Sequence, residues 1–104
     1  MATYILVVPS SAMPGRENEY NDWYDGEHLS DLLKVPGIVA GKRFDALENS
    51  PAKTPAKHLA IYEIEADDPL AVVAEIGRRA EAGEMSVSPT LDMSSVQMWL
   101  YKAR

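Results

Sequence analysis

The chain contains no cysteine. Disulfides, thiol nucleophiles and thiolate metal sites are therefore excluded. Positive charge is scarce as well: 10 Lys and Arg stand against 16 Asp and Glu, a formal net charge of −6. With no basic patch to neutralise phosphates, neither nucleic acid nor an anionic membrane surface is an expected partner. No apolar stretch approaches the length of a bilayer-spanning helix. The first apolar run, residues 4–9, is too short for a secretion signal and lacks its basic flank, so a cytoplasmic location is the default expectation. Gly15, Gly26, Gly37 and Gly41 are scattered and form no phosphate-cradling loop, which leaves a nucleotide cofactor unsupported. No serine stands in a nucleophile elbow. A metal held by His28 with Asp31 or Glu27, joined by His58, lacks the H-x-x-x-H or H-E-x-x-H spacing that would recommend it. The residues predict no cofactor and no resident metal.

What is present suits one small globular domain spanning residues 1–104, with 46% hydrophobic and 25% charged residues. A chain this short buries only about two thirds of its unfolded surface, so the core is thin and dimerisation would help. Residues 3–8 are apolar on both alternating faces and predict a strand covered on both sides. After a break at Pro9, Pro14 and Gly15, residues 17–35 predict a helix with acids in its first turn. Gly26 and Ser30 weaken its middle, which allows a kink or two abutting helical pieces, and Pro36-Gly37 ends it.

Residues 38–47 predict a second strand, with Ile38, Ala40, Phe44 and Ala46 on one face and Arg43 and Asp45 on the other. A proline-containing loop over 49–56 leads to a third strand over 57–65. There His58, Ala60, Tyr62 and Ile64 alternate with Leu59, Ile61, Glu63 and Glu65. Asp67 or Asp68 can cap a helix whose first turn holds Pro69 and which runs to Gly83. A loop over 84–92 precedes a last strand over 94–102, whose faces are Val96, Met98, Leu100 and Gln97, Trp99, Tyr101. The order βαββαβ predicts an α+β, ferredoxin-like sandwich with an antiparallel sheet and both helices on one face. Strands apolar on both faces predict a homodimer packed sheet to sheet.

Chemistry concentrates in residues 19–37, E-Y-N-D-W-Y-D-G-E-H-L-S-D-L-L-K-V-P-G. His28 titrates near neutrality and can give or take a proton. Tyr24 lies one turn before it and Asp31 nearly one turn after, so the three can share a helix edge, with Asp31 or Glu27 orienting the ring. Tyr20, Trp23 and Tyr24 can wall a cleft for a ring compound, although core packing is their plainer role. His58, Tyr62, Trp99 and Tyr101 lie on strands, and the face each takes decides between cleft and dimer seam.

The segment W-Y-D-G-E-H-L-S-D-L-L-K-V-P-G, with the element order and length, resembles the dimeric α/β-barrel superfamily, and within it the EthD-like branch. Many members of that branch carry W-Y-D-x-x-H-L-P-D-L-L-x-V-P-G; here Ser30 replaces the proline. The resemblance implies a homodimer whose protomers each hold a cleft between sheet and helices. It includes cofactor-free monooxygenases, muconolactone isomerases, polyketide cyclases and haem-degrading enzymes, so fold leaves function open. Several catalytic relatives present a histidine from the first helix to the cleft, and His28 matches that position. The haem-degrading branch uses an asparagine on the first strand and a histidine on the second helix, and neither is found here.

Together these readings lead to a cofactor-independent enzyme, of isomerase, cyclase, lyase or monooxygenase type, acting on a small ring-containing or carbonyl-bearing metabolite. His28, Tyr24 and Asp31 are the catalytic candidates. Trp23, Tyr20, Tyr62, His58 and Trp99 are the substrate-binding ones. The alternative is a non-catalytic metabolite-binding or stress-associated homodimer.

Overall fold

A computed structural model describes residues 2–104. Strand β1 (Thr3–Ala12) leads into α1 (Glu17–Trp23), a π-helical turn (Tyr24–His28) and α2 (Leu29–Leu33). Strands β2 (Ile38–Asp45) and β3 (His58–Glu65), helix α3 (Pro69–Glu81), the two-residue β4 (Leu91–Asp92), a 3₁₀ turn (Met93–Ser95) and β5 (Trp99–Lys102) follow. The antiparallel sheet runs β2-β3-β1, with β4 and β5 both pairing to β1 at different registers. This is the ferredoxin-like α+β arrangement expected from the element order.

Alternation decides what the helices cover. Leu6 and Val8 of β1 and Ala60, Tyr62 and Ile64 of β3 are buried, and they meet Tyr20, Tyr24, Leu32, Val72 and Ile76 from the helices. The helix α3 begins as its sequence predicts, with the Asp68 carboxylate accepting from the amides of Leu70 and Ala71 and with Pro69 in the first turn. On the other sheet face Ile5, Phe44, Trp99 and Tyr101 are exposed.

Three elements differ from expectation. The first strand extends four residues beyond Val8, because Ser11 and Ala12 find partners in Asp92 and Leu91. The last strand is confined to residues 99–102, since Asp92 caps a 3₁₀ turn that interrupts it. The third difference matters most. A bulge between Ile38 and Ala40 shifts the register of β2, so that Gly41, Arg43 and Asp45 pair with the inward-facing Tyr62, Ala60 and His58. The alternation predicted from Ile38 is thereby reversed, and Arg43 turns toward the helices.

Two glycines are dictated by this geometry. Gly37 has φ +98°, and a Cβ there would lie 2.9 Å from Val72 Cγ2. Gly41 faces the Tyr62 ring, whose Cδ1 would be 2.9 Å from an added Cβ, with Leu29 Cδ1 at 3.2 Å. The substitution Gly41→Ala should therefore destabilise the fold by about 1–3 kcal/mol through overpacking. Urea unfolding checks this: the midpoint should fall with the slope unchanged, and an unshifted midpoint would mean that the Tyr62 ring is free to move.

Candidate functional site

Around Gly26 the predicted helix divides into two abutting pieces, α1 and α2, joined by a π turn, and Trp23, Tyr24, His28 and Leu29 at the junctions keep right-handed helical torsions. The wider turn changes who meets whom. In a regular α-helix, positions five apart point about 140° away from each other. Across the π turn, Trp23 and His28 instead stack, with ring centroids 4.4 Å apart and planes at 25°. Tyr24 meets the same imidazole edge-on at 4.8 Å and 90°. Single π turns of this kind recur at functional sites.

His28 thus comes to rest on the wall of a cleft of about 450 Å³ between the sheet and the helices. Leu6, Val8 and Tyr62 of the sheet and Tyr24 and Leu32 of the first helical segment line one side. Val73, Ile76 and Ala80 of α3 line the other with the buried Met85, and the exposed Val87, Met93 and Met98 stand at the mouth. The polar lining residues are Ser10, Tyr24, His28, Tyr62 and Glu81.

The phenols of Tyr24 and Tyr62 are hydrogen-bonded to each other at 2.7 Å. One hydroxyl proton is spent in that bond and the second is left to donate elsewhere. Burial pushes Tyr24 up to about 12 and raises Tyr62 further, so both remain neutral phenols at any physiological pH. A second pair lies beside them: Ser10 Oγ, on the cleft wall, is 2.5 Å from the Tyr20 hydroxyl.

The imidazole of His28 is in the opposite situation. Its Nδ1 is buried without a hydrogen-bond partner. Burial pushes the group down to about 4, the charge of Asp31 opposing and that of Arg43 reinforcing the shift. At neutral pH the ring is uncharged, with one nitrogen able to accept a proton.

Behind the Tyr24 ring lies Arg43, with only 12% of its side chain exposed. Its guanidinium carbon is 4.4 Å from the Tyr24 centroid and 5.3 Å from that of Tyr20. One terminal nitrogen donates to Asp25 at 2.8 Å and the other to Asn21 at 2.9 Å, which ties β2 to the π turn.

Of the eight site residues predicted from sequence, the structure brings Tyr24, His28 and Tyr62 together on the cleft wall. Tyr20 and Trp23 are one layer back, supporting Tyr24 and His28. Asp31 does not orient His28: it lies 3.7 Å from Lys34, and His28 Nδ1 has no partner. Glu27 is exposed. His58 is buried, but its Nδ1 is 2.7 Å from Asp45, its cross-strand neighbour, and its ring packs 5.2 Å from Tyr20, outside the cleft lining. Trp99 pairs with Val7 on the opposite sheet face and takes no part in the cleft. Sequence reasoning missed Ser10, Arg43, Glu81 and the methionines. The apolar residues spaced through 85–98 were the available signal for the mouth. Among the described residues no group of three or more His, Asp or Glu side chains could hold a metal ion, and no helix is long and apolar enough to cross a membrane.

No protein-family profile matches the chain, and no curated protein matches it in sequence. Solved structures do match it in shape. An ethyl tert-butyl ether degradation (EthD) family protein from Bacillus halodurans superposes with a TM-score of 0.61 at 11% identity, covering 100% of both chains. The haem-degrader MhuD from Mycobacterium tuberculosis superposes with 0.66 at 9% identity, over 96% of this chain and 94% of its own. SnoaB from Streptomyces nogalater, a cofactor-independent oxygenase, gives 0.53 at 16% identity, over 99% of this chain and 92% of its own. The chain therefore shares the ferredoxin-like α+β fold of these structures.

The half-buried imidazole of His28 carries a pH signature. The unfolded histidine titrates near 6.5 and the folded one near 4. Between those values the unfolded chain binds more protons, so the His28 contribution to stability is complete above about pH 6.5 and is lost progressively as pH falls toward 4. The wild type should lose up to about 3 kcal/mol more than His28→Leu over that window. Urea titrations of both proteins at a series of pH values check this, and parallel curves would contradict the half-buried, neutral imidazole.

Proposed function

We propose that the protein is a cofactor-independent enzyme that moves a proton on a small ring-containing or carbonyl-bearing metabolite held in the cleft between sheet and helices. The observation that carries this reading is the neutral His28 imidazole on the wall of an apolar cleft, in contact with a Tyr24–Tyr62 pair that retains a free hydroxyl proton. In this reading the pair donates to the substrate carbonyl oxygen and stabilises charge developing there. His28 accepts the proton released from the adjacent carbon or hydroxyl and returns it in a later step. A base held near 4 is unprotonated at neutral pH but weak, so this reading requires a proton strongly acidified by that carbonyl. Isomerisation, cyclisation, elimination and cofactor-free oxygenation all fit this machinery. The likeness in fold to a cofactor-independent oxygenase supports the same class of chemistry.

The test is turnover on a panel of lactones, enols and quinones. His28→Ala should lower the rate ~10²–10⁴-fold with the fold intact by circular dichroism. The wild-type rate should fall as pH drops through about 4, with no acid limb near 6.5. An unchanged rate in the variant removes His28 from the mechanism. Saturable binding with no turnover at any pH favours the alternative, a metabolite-binding homodimer, which the preponderance of apolar lining residues also suits.

We also propose that the protein is a homodimer joined through the outer sheet face. Ile5, Phe44, Trp99 and Tyr101 leave there an apolar surface of the kind that marks an interface. Trp99→Glu should convert the dimer to a monomer in light scattering, and a wild type that is already monomeric would defeat the idea.

A further inference from the structure

The cleft's inventory of charge goes further than its shape, and the consequence rests on the cleft being the ligand site proposed above. With His28 neutral, Glu81 is the one charged residue among the described residues lining it, and it is exposed on the last turn of α3. Among the described residues no lysine or arginine lines it. The nearby cations are committed elsewhere: Arg79 Nε is 2.7 Å from Glu75, and Arg78 bridges Glu75 and Glu84. Arg43 is screened from the cleft by the Tyr24 ring, and its terminal nitrogens are engaged by Asp25 and Asn21.

An anion entering this space would give up its water without gaining a cation, a costly exchange. It would also pass Glu81 on a chain of net charge −6. The polar groups at the far end offer a different partnership. The Tyr24–Tyr62 pair and the Ser10–Tyr20 pair each keep one hydroxyl proton free, which suits an uncharged acceptor oxygen. Around the body of a ligand, Met85, Met93 and Met98 present thioethers, which pack well on aromatic and unsaturated rings.

We propose that the site selects uncharged aromatic or unsaturated ring compounds bearing a ketone or quinone oxygen, and rejects carboxylates of the same shape. The carbonyl oxygen sits at the tyrosine pairs and the ring lies against the methionines. Discrimination comes from the missing counter-cation, and Glu81 at the mouth adds to it.

A matched pair of probes tests this: 2-acetylnaphthalene, a neutral ketone, and 2-naphthoate, its near-isosteric carboxylate. Both are titrated at pH 8 by isothermal calorimetry. The ketone should bind about tenfold tighter or more, the scale of an unpaired charge at a partly open site. Introducing a cation on the wall, Val73→Arg, should narrow or reverse the preference, and Glu81→Gln should improve naphthoate binding alone. Equal or tighter binding of naphthoate by the wild type overturns the proposal, and so does failure of both probes to bind. The readout is binding, so an absence of turnover would sink the catalytic reading and leave charge selection standing. Turnover of a tightly bound carboxylate would do the reverse.

Discussion

The packing of Tyr24 is the constraint on which the rest of the site depends. Its hydroxyl is bonded to Tyr62 on the central strand β3, its face is covered by the Arg43 guanidinium from the edge strand β2, and its edge meets His28. A single residue thus connects helix, sheet and cleft. The arrangement is feasible only because Gly41 has no side chain where the Tyr62 ring must lie. It also requires that Arg43, a residue whose charge belongs in water, be turned inward by a bulge one turn of strand earlier. Burying that cation is tolerable because Asp25 and Asn21 receive its terminal nitrogens and two aromatic faces receive its plane.

Local chemistry and global fold were legible to different depths. Alternation along β3 and the Asp68-Pro69 start of α3 are strong local signals, and both elements form where those signals put them. The aromatic-rich stretch around His28 was legible as a cluster, and Tyr24, His28 and Tyr62 converge on one cleft wall. The π turn was not legible. Gly26 and Ser30 weaken a helix in isolation, but the chain resolves the weakness by inserting a wider turn between two abutting pieces. That outcome stacks Trp23 on His28, a contact absent from regular helical spacing.

His58 and Trp99 are plausible site residues by type, but strand register decides their surroundings: Asp45 lies opposite His58, and Val7 opposite Trp99 on the outer sheet face. Asp31 differs, because its neighbour Lys34 is a local i,i+3 contact. Arg43 failed in the other direction. A charged residue in a strand reads as solvent-facing under strict alternation, and one extra residue at a bulge reverses that reading for the rest of β2. No periodicity rule sees an insertion that only the pairing strand reveals.

The same logic explains how a cleft with so few polar groups can still be chemically biased. Burial acts on each titratable group according to the sign of its charged form. It holds the phenols protonated and the imidazole unprotonated, so donors and an acceptor coexist side by side without exchanging a proton at rest. Arg43 sharpens the contrast from behind the Tyr24 ring. Its charge favours the ionised phenol and disfavours the imidazolium, which makes Tyr24 a better donor and keeps His28 an acceptor. A cation placed inside the cleft would act on these groups too, but it would also bind anions. Behind an aromatic ring and tied to Asp25, it acts on the polar end and leaves the cleft apolar.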